Sequence, residues 1–270
     1  MLGSTLAFAC MQICVKFLPH LPAHELILFR SLVSIVLSVA ILKKLGIQLL
    51  GNNKKVLLMR GVFGTTALLM FFYTLQNIPL ASAVTLQYLS PIFTALFAAI
   101  FLKEKMQMKQ WLYFGVSFAG VALIKGFDER ISLTFMLLGI CSAMFSGMAY
   151  TCIRRLKDSE HPLVVVLYFP LVAIPIMSVL SYYKWVTPQG TDWLYLLLMG
   201  LFTQVAQLLM TKGIQSGIAN KMISLKYIGT IYALAIGYLI FGESYGLMSL
   251  IGIAMVITGV VLNLWKKRVK

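Results

Sequence analysis

Two stretches of this chain are versions of one another. Leu86-Gln87-Tyr88-Leu89-Ser90-Pro91-Ile92-Phe93, followed by Glu104, returns as Leu225-Lys226-Tyr227-Ile228-Gly229-Thr230-Ile231-Tyr232, followed by Glu243. The shift is 139 residues throughout. Without a gap it also places Gly61 on Gly200, Phe63 on Phe202, Ala67 on Ala206, Gln76 on Gln215 and Gly120-Val121 on Gly259-Val260. The chain reads as two copies of one unit, and any fold assigned to one copy must suit the other.

Each copy is almost entirely apolar. The chain is 60% hydrophobic and 11% charged, where a soluble domain carries roughly 25% charged residues. So few charges cannot coat a water-soluble surface. Apolar runs long enough to cross the hydrocarbon core recur along the whole length. They fall near 2–18, 23–42, 56–77, 81–102, 107–126, 132–152, 162–183, 192–212, 218–241 and 245–265. Turn chemistry separates them: Pro19 and Pro22, Gly51-Asn52-Asn53, Asn77-Ile78-Pro79, Pro188-Gln189-Gly190 and Ser216-Gly217. The connections are short, which leaves no room for a soluble domain. Each copy holds an odd number of spans, so the second must insert upside down. The predicted fold is an all-α integral membrane protein: ten transmembrane helices as two inverted five-helix repeats around a central cavity, over residues 1–127 and 130–270. Such duplication is typical of transporters that alternate access around a midplane site.

The net charge of +15 does not point to nucleic acid, because the basic residues sit in short clusters between apolar runs. With a cytoplasmic N-terminus, the inner loops and tail hold Lys43, Lys44, Lys54, Lys55, Arg60, Lys103, Lys105, Lys109, Arg154, Arg155, Lys157, Lys212, Lys221, Lys266, Lys267, Arg268 and Lys270. The outer loops hold only Lys125, Arg130 and Lys184. This is the positive-inside pattern, and it predicts a multi-pass protein of the cell (inner) membrane with both termini cytoplasmic. Trp111, Trp185, Trp193 and Trp265 all fall at span ends, as an aromatic belt does. Cys10, Cys14, Cys141 and Cys152 lie inside spans and read as small buried hydrophobes. The first run lacks a basic start and a small-residue cleavage site, so it reads as a span and not a signal peptide.

Once loop charges are set aside, three basic residues remain in or near the apolar zone: Lys16, Arg30 and Lys226. A charge at the bilayer centre costs ~2.5–3.5 kcal/mol on insertion scales, so each needs a watery cavity, a partner or an escape route. Lys16, at the outer end of its span, can snorkel. Arg30 lies roughly 10 Å into its span at 1.5 Å per residue. Glu25 is its nearest carboxylate in sequence, although a cross-helix pair of Glu25 with Lys16 is equally consistent. Lys226 lies ~12 Å from the cytoplasmic end of span nine, with Gln87 as its mate in the first copy. Gln87, Ser90, Pro91 and Thr94 share one helix face; Gln204, Gln207 and Thr211 share another; Gln12 lies near Phe8 and Lys16. Singly, such groups can be ordinary interhelical hydrogen bonds. As a set they predict a hydrated cavity. Pro91 is expected to bend span four, and Pro170 and Pro175 span seven.

No Asp or Glu falls mid-span, and no nucleophile clusters with a buried acid or base, so the catalytic set is expected to be empty. No metal-ligand cluster, cofactor motif or phosphate-binding loop occurs.

One family carries these features in this order. The stretches are Glu25 through Phe29-Arg30-Ser31, Arg60-Gly61 with Gly64, and Phe72-Tyr73 leading to Ile78-Pro79-Leu80-Ala81 and Ala83. Tyr88, Ser90-Pro91-Ile92-Phe93, Leu102-Lys103-Glu104 and Gly120-Val121 follow, then His161-Pro162, Gly200, Tyr227, Phe241-Gly242-Glu243 and Gly259-Val260. Over nearly its whole length the chain resembles EamA-type members of the drug/metabolite transporter superfamily. The resemblance implies a ten-helix inverted repeat with a central cavity, often in exporters of metabolites or amino acids. Some relatives take up nucleotide-like metabolites such as S-adenosylmethionine. By position it implies cavity or gate roles for Arg30, Tyr88, Pro91 and Tyr227, and structural roles for Glu104 and Glu243. Lys226 departs from the uncharged residue that relatives often carry there, which argues against copying a relative's substrate.

The expected activity is secondary transport of a small anionic or zwitterionic metabolite. Lys226 and Arg30 would bind its negative group. Gln12, Gln87, Gln204 and Gln207 would orient it, and Phe8, Phe71, Tyr88 and Tyr227 would pack on its apolar part. Pro91 would serve gating. The expected partners are this small-molecule substrate and the lipid bilayer, with no nucleic acid and with a homodimer as the assembly to test. The rival classes are a membrane enzyme acting on lipid-linked substrates and a noncatalytic membrane partner protein.

Overall fold

The computed structural model describes residues 2–101, 108–216 and 228–265. Lys103, Glu104, Lys105, Lys221, Lys226, Tyr227 and the basic tail Lys266, Lys267, Arg268 and Lys270 lie outside them.

The regular secondary structure of the described residues is all helix, with no strand. A bilayer offers backbone groups no water, so helices that satisfy their own N–H and C=O groups are one of two spanning solutions. In chain order they are α1 (Leu2–Lys16), α2 (Ala23–Lys44), α3 (Lys54–Asn77), α4 (Leu80–Gln87), α5 (Ser90–Phe101), α6 (Met108–Phe127), α7 (Leu133–Arg155), α8 (Pro162–Tyr183), α9 (Asp192–Gln215), α10 (Ile228–Phe241) and α11 (Leu247–Trp265). Among the described residues, six spans are long and apolar enough to cross a membrane: α2, α3, α4 with α5, α7, α8 and α9. Side chains start several of them. Asn53 accepts from the Val56 N–H, Ser132 from Phe135, and His161 from Leu163 ahead of Pro162.

Proline acts differently at the three positions expected to bend a span. Pro170 and Pro175 lie inside α8, which stays helical across both. Pro91 is the second residue of α5, and the span breaks at Tyr88-Leu89 just before it. Leu89 O then accepts from both Ile92 N (2.9 Å) and Phe93 N (3.2 Å), so the new helix begins with satisfied donors.

Helix pairing repeats with the sequence. α1 packs on α9 and α3 on α7; α2 packs on α9 and α3 on α8. The 139-residue shift carries α3 to α9 and α2 to α8, so each pairing has its counterpart. The repetition reaches single atoms. A Cβ on Gly61 would meet Val172, and one on Gly200 would meet Val33; the shift moves 61 to 200 and 33 to 172. One residue out of that register, Ser142 Oγ donates to Ala67 O (2.7 Å) much as Ser4 Oγ donates to Ala206 O (2.8 Å). Gln76 Nε2 donates to Leu18 O and Leu21 O, and Gln215 Nε2 to Leu156 O and Glu160 O. On the α6–α11 seam Gly120 faces Gly252 and Val256, while its mate Gly259 faces Tyr113 and Ser117. Small residues at these seams let backbones approach closely. The outer faces are apolar, with Val36, Leu112 and Leu239 among the exposed side chains.

Three charged residues sit elsewhere than the sequence suggested. Arg60, counted with the loop charges, lies in the second turn of α3 and is only 2% exposed. Lys16 does not pair with Glu25. Its Nζ lies 2.6 Å from Glu243 Oε1 and donates to Ile78 O. Glu25 accepts from the Val186 N–H (2.6 Å) at the α8–α9 connection. Pairings across helices depend on packing that spacing along one helix does not encode.

The mated glycines generate a graded prediction. A Cβ on Gly61 would lie 2.7 Å from the Tyr168 carbonyl oxygen, which cannot move aside, whereas one on Gly200 meets only the Val33 side chain. Gly61→Ala is expected to cost about 1–3 kcal/mol and Gly200→Ala less, read as unfolding temperature in detergent. Equal losses would show that the Gly61 backbone contact is not tight.

Candidate functional site

A cavity of about 100 Å³ opens among the helices. One water needs about 10–15 Å³ by this measure, so the space is large enough for several waters or a small polar group. Its wall takes Phe8 and Gln12 from α1, Arg60, Gly64 and Phe71 from α3, and Gln87 and Tyr88 from α4 and its end. Ser146 and Tyr150 come from α7, Phe169 from α8, Gln207 and Met210 from α9, and Gly229 from α10. Both copies of the unit therefore contribute.

Of the residues singled out in the sequence, Phe8, Gln12, Phe71, Gln87, Tyr88 and Gln207 line this cavity. Arg30 lies behind the wall, with its guanidinium carbon 4.8 Å from the Phe169 ring centre and 6.0 Å from that of Phe72. Gln204 turns away from the cavity. Its Oε1 accepts from Ser34 Oγ (2.5 Å) and its Nε2 donates to Ser38 Oγ (2.8 Å), so two serines one turn apart on α2 satisfy both ends of the amide. Pro91 is buried at the start of α5 and is not part of the wall. Lys16 is held at Glu243, away from the wall. Lys226 and Tyr227 are outside the described residues.

Helix neighbours fix the polar groups. Gln87 Nε2 donates to Ser146 Oγ (2.7 Å), and its Oε1 accepts from Ser142 Oγ (2.9 Å). The single Ser142 proton is shared between Gln87 and Ala67 O. Gln87 is thus clamped to α7 with its amide oriented.

Arg60 is the residue the sequence reading missed. Nη2 donates to Gln207 Oε1 (3.3 Å), while Nε and Nη1 have no partner among the described residues. Its guanidinium carbon lies 5.4 Å from the Phe169 ring centre. A ring face attracts a cation, by ~2 kcal/mol or more when desolvated. That offsets part of the cost of burial but leaves the remaining N–H groups unmet. Gly64, one turn on, makes the room: a Cβ there would lie 2.7 Å from Arg60 Nη1 and 3.1 Å from the Phe169 ring. The signal was available in sequence, as a cation a turn inside an apolar run with two glycines beside it.

At the end of the bundle that holds Lys16, a chain of polar contacts crosses between the copies. Glu243 pairs with Lys16 and accepts from the Leu80 N–H (2.8 Å) and the Tyr245 hydroxyl (2.5 Å). Arg130 donates to Ser244 O and lies over the Tyr245 ring. It also holds Asp128 through Nε–Oδ1 (2.9 Å) and Nη2–Oδ2 (2.8 Å). These bonds from Arg130 keep the Asp128 carboxyl below the ordinary carboxylate range. Burial and Glu243 push the Tyr245 hydroxyl up.

The EamA-like transporter family model matches residues 1–126 and 133–265. A pseudopaline exporter of Pseudomonas aeruginosa is 30% identical over 250 residues, 92% of this chain and 88% of its own length. Human solute carrier family 35 member G1 is 28% identical over 85% of this chain and 68% of its own length. A riboflavin transporter of Vibrio cholerae is 26% identical over 77% of this chain and 72% of its own length. A solved crystal structure, 17% identical, superposes with a TM-score of 0.71 over 99% of this chain and 96% of that one, a likeness of fold.

Two measurements test this geometry. The Tyr88 hydroxyl sits where a Cβ on Gly229 would fall. Gly229→Ala should lower stability by about 1–3 kcal/mol, and Tyr88→Phe in the same protein should restore most of it; no restoration in thermal unfolding would separate the two residues. For Asp128 the lowered carboxyl adds stability that is present above the ordinary value near ~3.9 and is lost as pH falls through the lowered one. The stability gap between wild type and Asp128→Asn should be full at neutral pH and close on acidification below about pH 4. A gap that stays constant through acid would exclude the linkage.

Proposed function

Because this chain belongs to the EamA-like transporter family, we propose that it is a secondary exporter of a small anionic or zwitterionic metabolite, such as an amino acid or a nucleotide-like compound, working by alternating access. The family and the relatives are transporters, not enzymes, and the chain is a multi-pass membrane protein that acts on a small-molecule substrate. Export is the direction named for the Pseudomonas relative.

The observation that carries the substrate charge is Arg60: a buried cation on the cavity wall with two unpartnered nitrogens and no carboxylate paired to it among the described residues. A site built this way favours a negative group and disfavours an organic cation. The binding set we propose is Arg60 and Lys226 for charge, with Arg30 acting through its field from behind Phe169; Gln12, Gln87 and Gln207 for orientation; and Phe8, Phe71, Tyr88 and Tyr227 for the apolar part. Gln204 acts from behind, holding α9 on α2. Pro91, beside the break at Tyr88-Leu89, serves the gating bend.

Ten spans in two inverted five-helix halves, 1–127 and 130–270, remain our reading of the architecture. The glycine contacts that recur at the 139-residue shift support it, since related halves should pack through related atoms. The positive-inside bias supports cytoplasmic termini in the cell membrane.

Cells that make the protein should lose a polar anionic or zwitterionic metabolite to the medium relative to cells that lack it. An unchanged medium would sink the export reading. In proteoliposomes loaded with that solute, Lys226→Met should cut flux at least tenfold, or ~1.4 kcal/mol, at equal protein incorporation. Unchanged flux and pH dependence would remove Lys226 from the site.

A further inference from the structure

Among the described residues, two guanidinium groups, and no carboxylate, lie against one ring. The Arg30 and Arg60 guanidinium carbons are 4.8 and 5.4 Å from the centre of Phe169. The two distances add to 10.2 Å, the largest separation these charges can have. Arg30 is 1% exposed and Arg60 2%. Nε and Nη1 of both lack partners among the described residues. The ion pairs found among those residues lie elsewhere: Lys16 with Glu243, His20 with Asp192, and Arg130 with Asp128.

Two like charges this close repel, and the low dielectric around them strengthens the repulsion. A buried pair of this kind is stable when something negative completes it. One singly charged anion neutralises one guanidinium and leaves the other uncompensated. A doubly charged group neutralises both. The geometry also divides the work. Arg60 is on the cavity wall and Arg30 is behind Phe169, so Arg60 can touch a solute while Arg30 acts through its field. Gly64 leaves room for Arg60 and the ring side by side. The remaining wall near them is aromatic, with Phe8, Phe71 and Tyr88, and suits a planar or apolar body attached to the charged end.

We infer that Arg60, backed by Arg30 across Phe169, forms an anion subsite for a dianionic group, either two carboxylates on one small scaffold or a phosphomonoester. The subsite rests on the transport reading above and narrows its substrate class. Arg60 is the contact residue, and Arg30 is the residue that sets preference for the second charge.

The test titrates purified protein with phthalate, phenyl phosphate, benzoate and benzamide at a pH where the first two are doubly ionised. Binding is read by calorimetry and by the shift in unfolding temperature. Phthalate or phenyl phosphate should bind wild type at least tenfold more tightly than benzoate, and benzamide should not bind. The better of the two dianions assigns dicarboxylate or phosphomonoester chemistry. Arg60→Gln should weaken dianion binding at least tenfold, with part of the loss recovered in Arg60→Lys. Arg30→Gln should bring the dianion down to the affinity of benzoate while benzoate itself changes less than about twofold. A purely structural cation–π stack would leave the dianion preference intact in Arg30→Gln. Wild-type protein that prefers no dianion, or folded Arg60→Gln that binds one as tightly as wild type, overturns the proposal. The wild-type comparison needs no variant, so a misfolded substitution does not shield it. Counterflow in proteoliposomes separates the two readings. Dianion binding without any flux keeps the subsite and sinks transport; flux of another solute with no dianion preference does the reverse.

Discussion

A guanidinium that cannot reach the membrane surface must be hydrated, paired or completed by something that comes and goes. That constraint organises the interior of this molecule. Arg60 starts where α3 is still close to its charged end, yet the helix carries it inward among α7, α8 and α9. Three of its neighbours are explained by the charge. Gln207 supplies an acceptor, Phe169 a ring face, and Gly64 the absence of a side chain. None of them supplies a negative charge. Arg60 lines the cavity, and the solute site proposed there draws on the same electrostatics that would otherwise make the residue costly.

The duplication was legible from residues alone because it needs only identity at a fixed shift. Some contacts follow the same shift: Gly61 against Val172 has Gly200 against Val33, and the Gln76 bond to Leu21 O has the Gln215 bond to Glu160 O. Six of the wall residues were legible for a related reason, since polar and aromatic groups on one stripe of an apolar helix have few places to go. What did not read through was anything decided across helices. Lys16 had a carboxylate nearby in chain order at Glu25 and took one 227 residues away. Gln204 and Gln207 looked equivalent on one helix, but α2 offers serines to the first and nothing comparable to the second. Arg60 was assigned by its distance from the span end, when its burial depends on the tilt and packing of neighbours.

The polar chain through Lys16, Glu243, Tyr245, Arg130 and Asp128 sits at one end of the bundle and ties the first copy to the second. Its members are partly shielded; the side chains of Lys16 and Glu243 are 15% and 11% exposed. A pair at that depth is less screened than a surface pair and bears a smaller desolvation cost than a fully buried one. The close glycine contacts lie at the helix seams, and this polar chain lies at one end of the bundle.

The two copies share scaffold and differ in lining. At the shift that superposes their glycines, Arg60 falls on Met199, Gln87 on Lys226 and Arg30 on Phe169. The last pair is the informative one, because Arg30 packs against its own mate. A residue and its counterpart touch only where the two units meet, so the cation and the ring mark the seam between copies. Had both copies kept arginine, two charges would face each other there; had both kept phenylalanine, the seam would be dry. One of each gives a buried charge with a ring to rest on, and a pocket whose two ends differ. A solute with one charged end and one apolar end then has a single favourable orientation in a scaffold that would otherwise offer two.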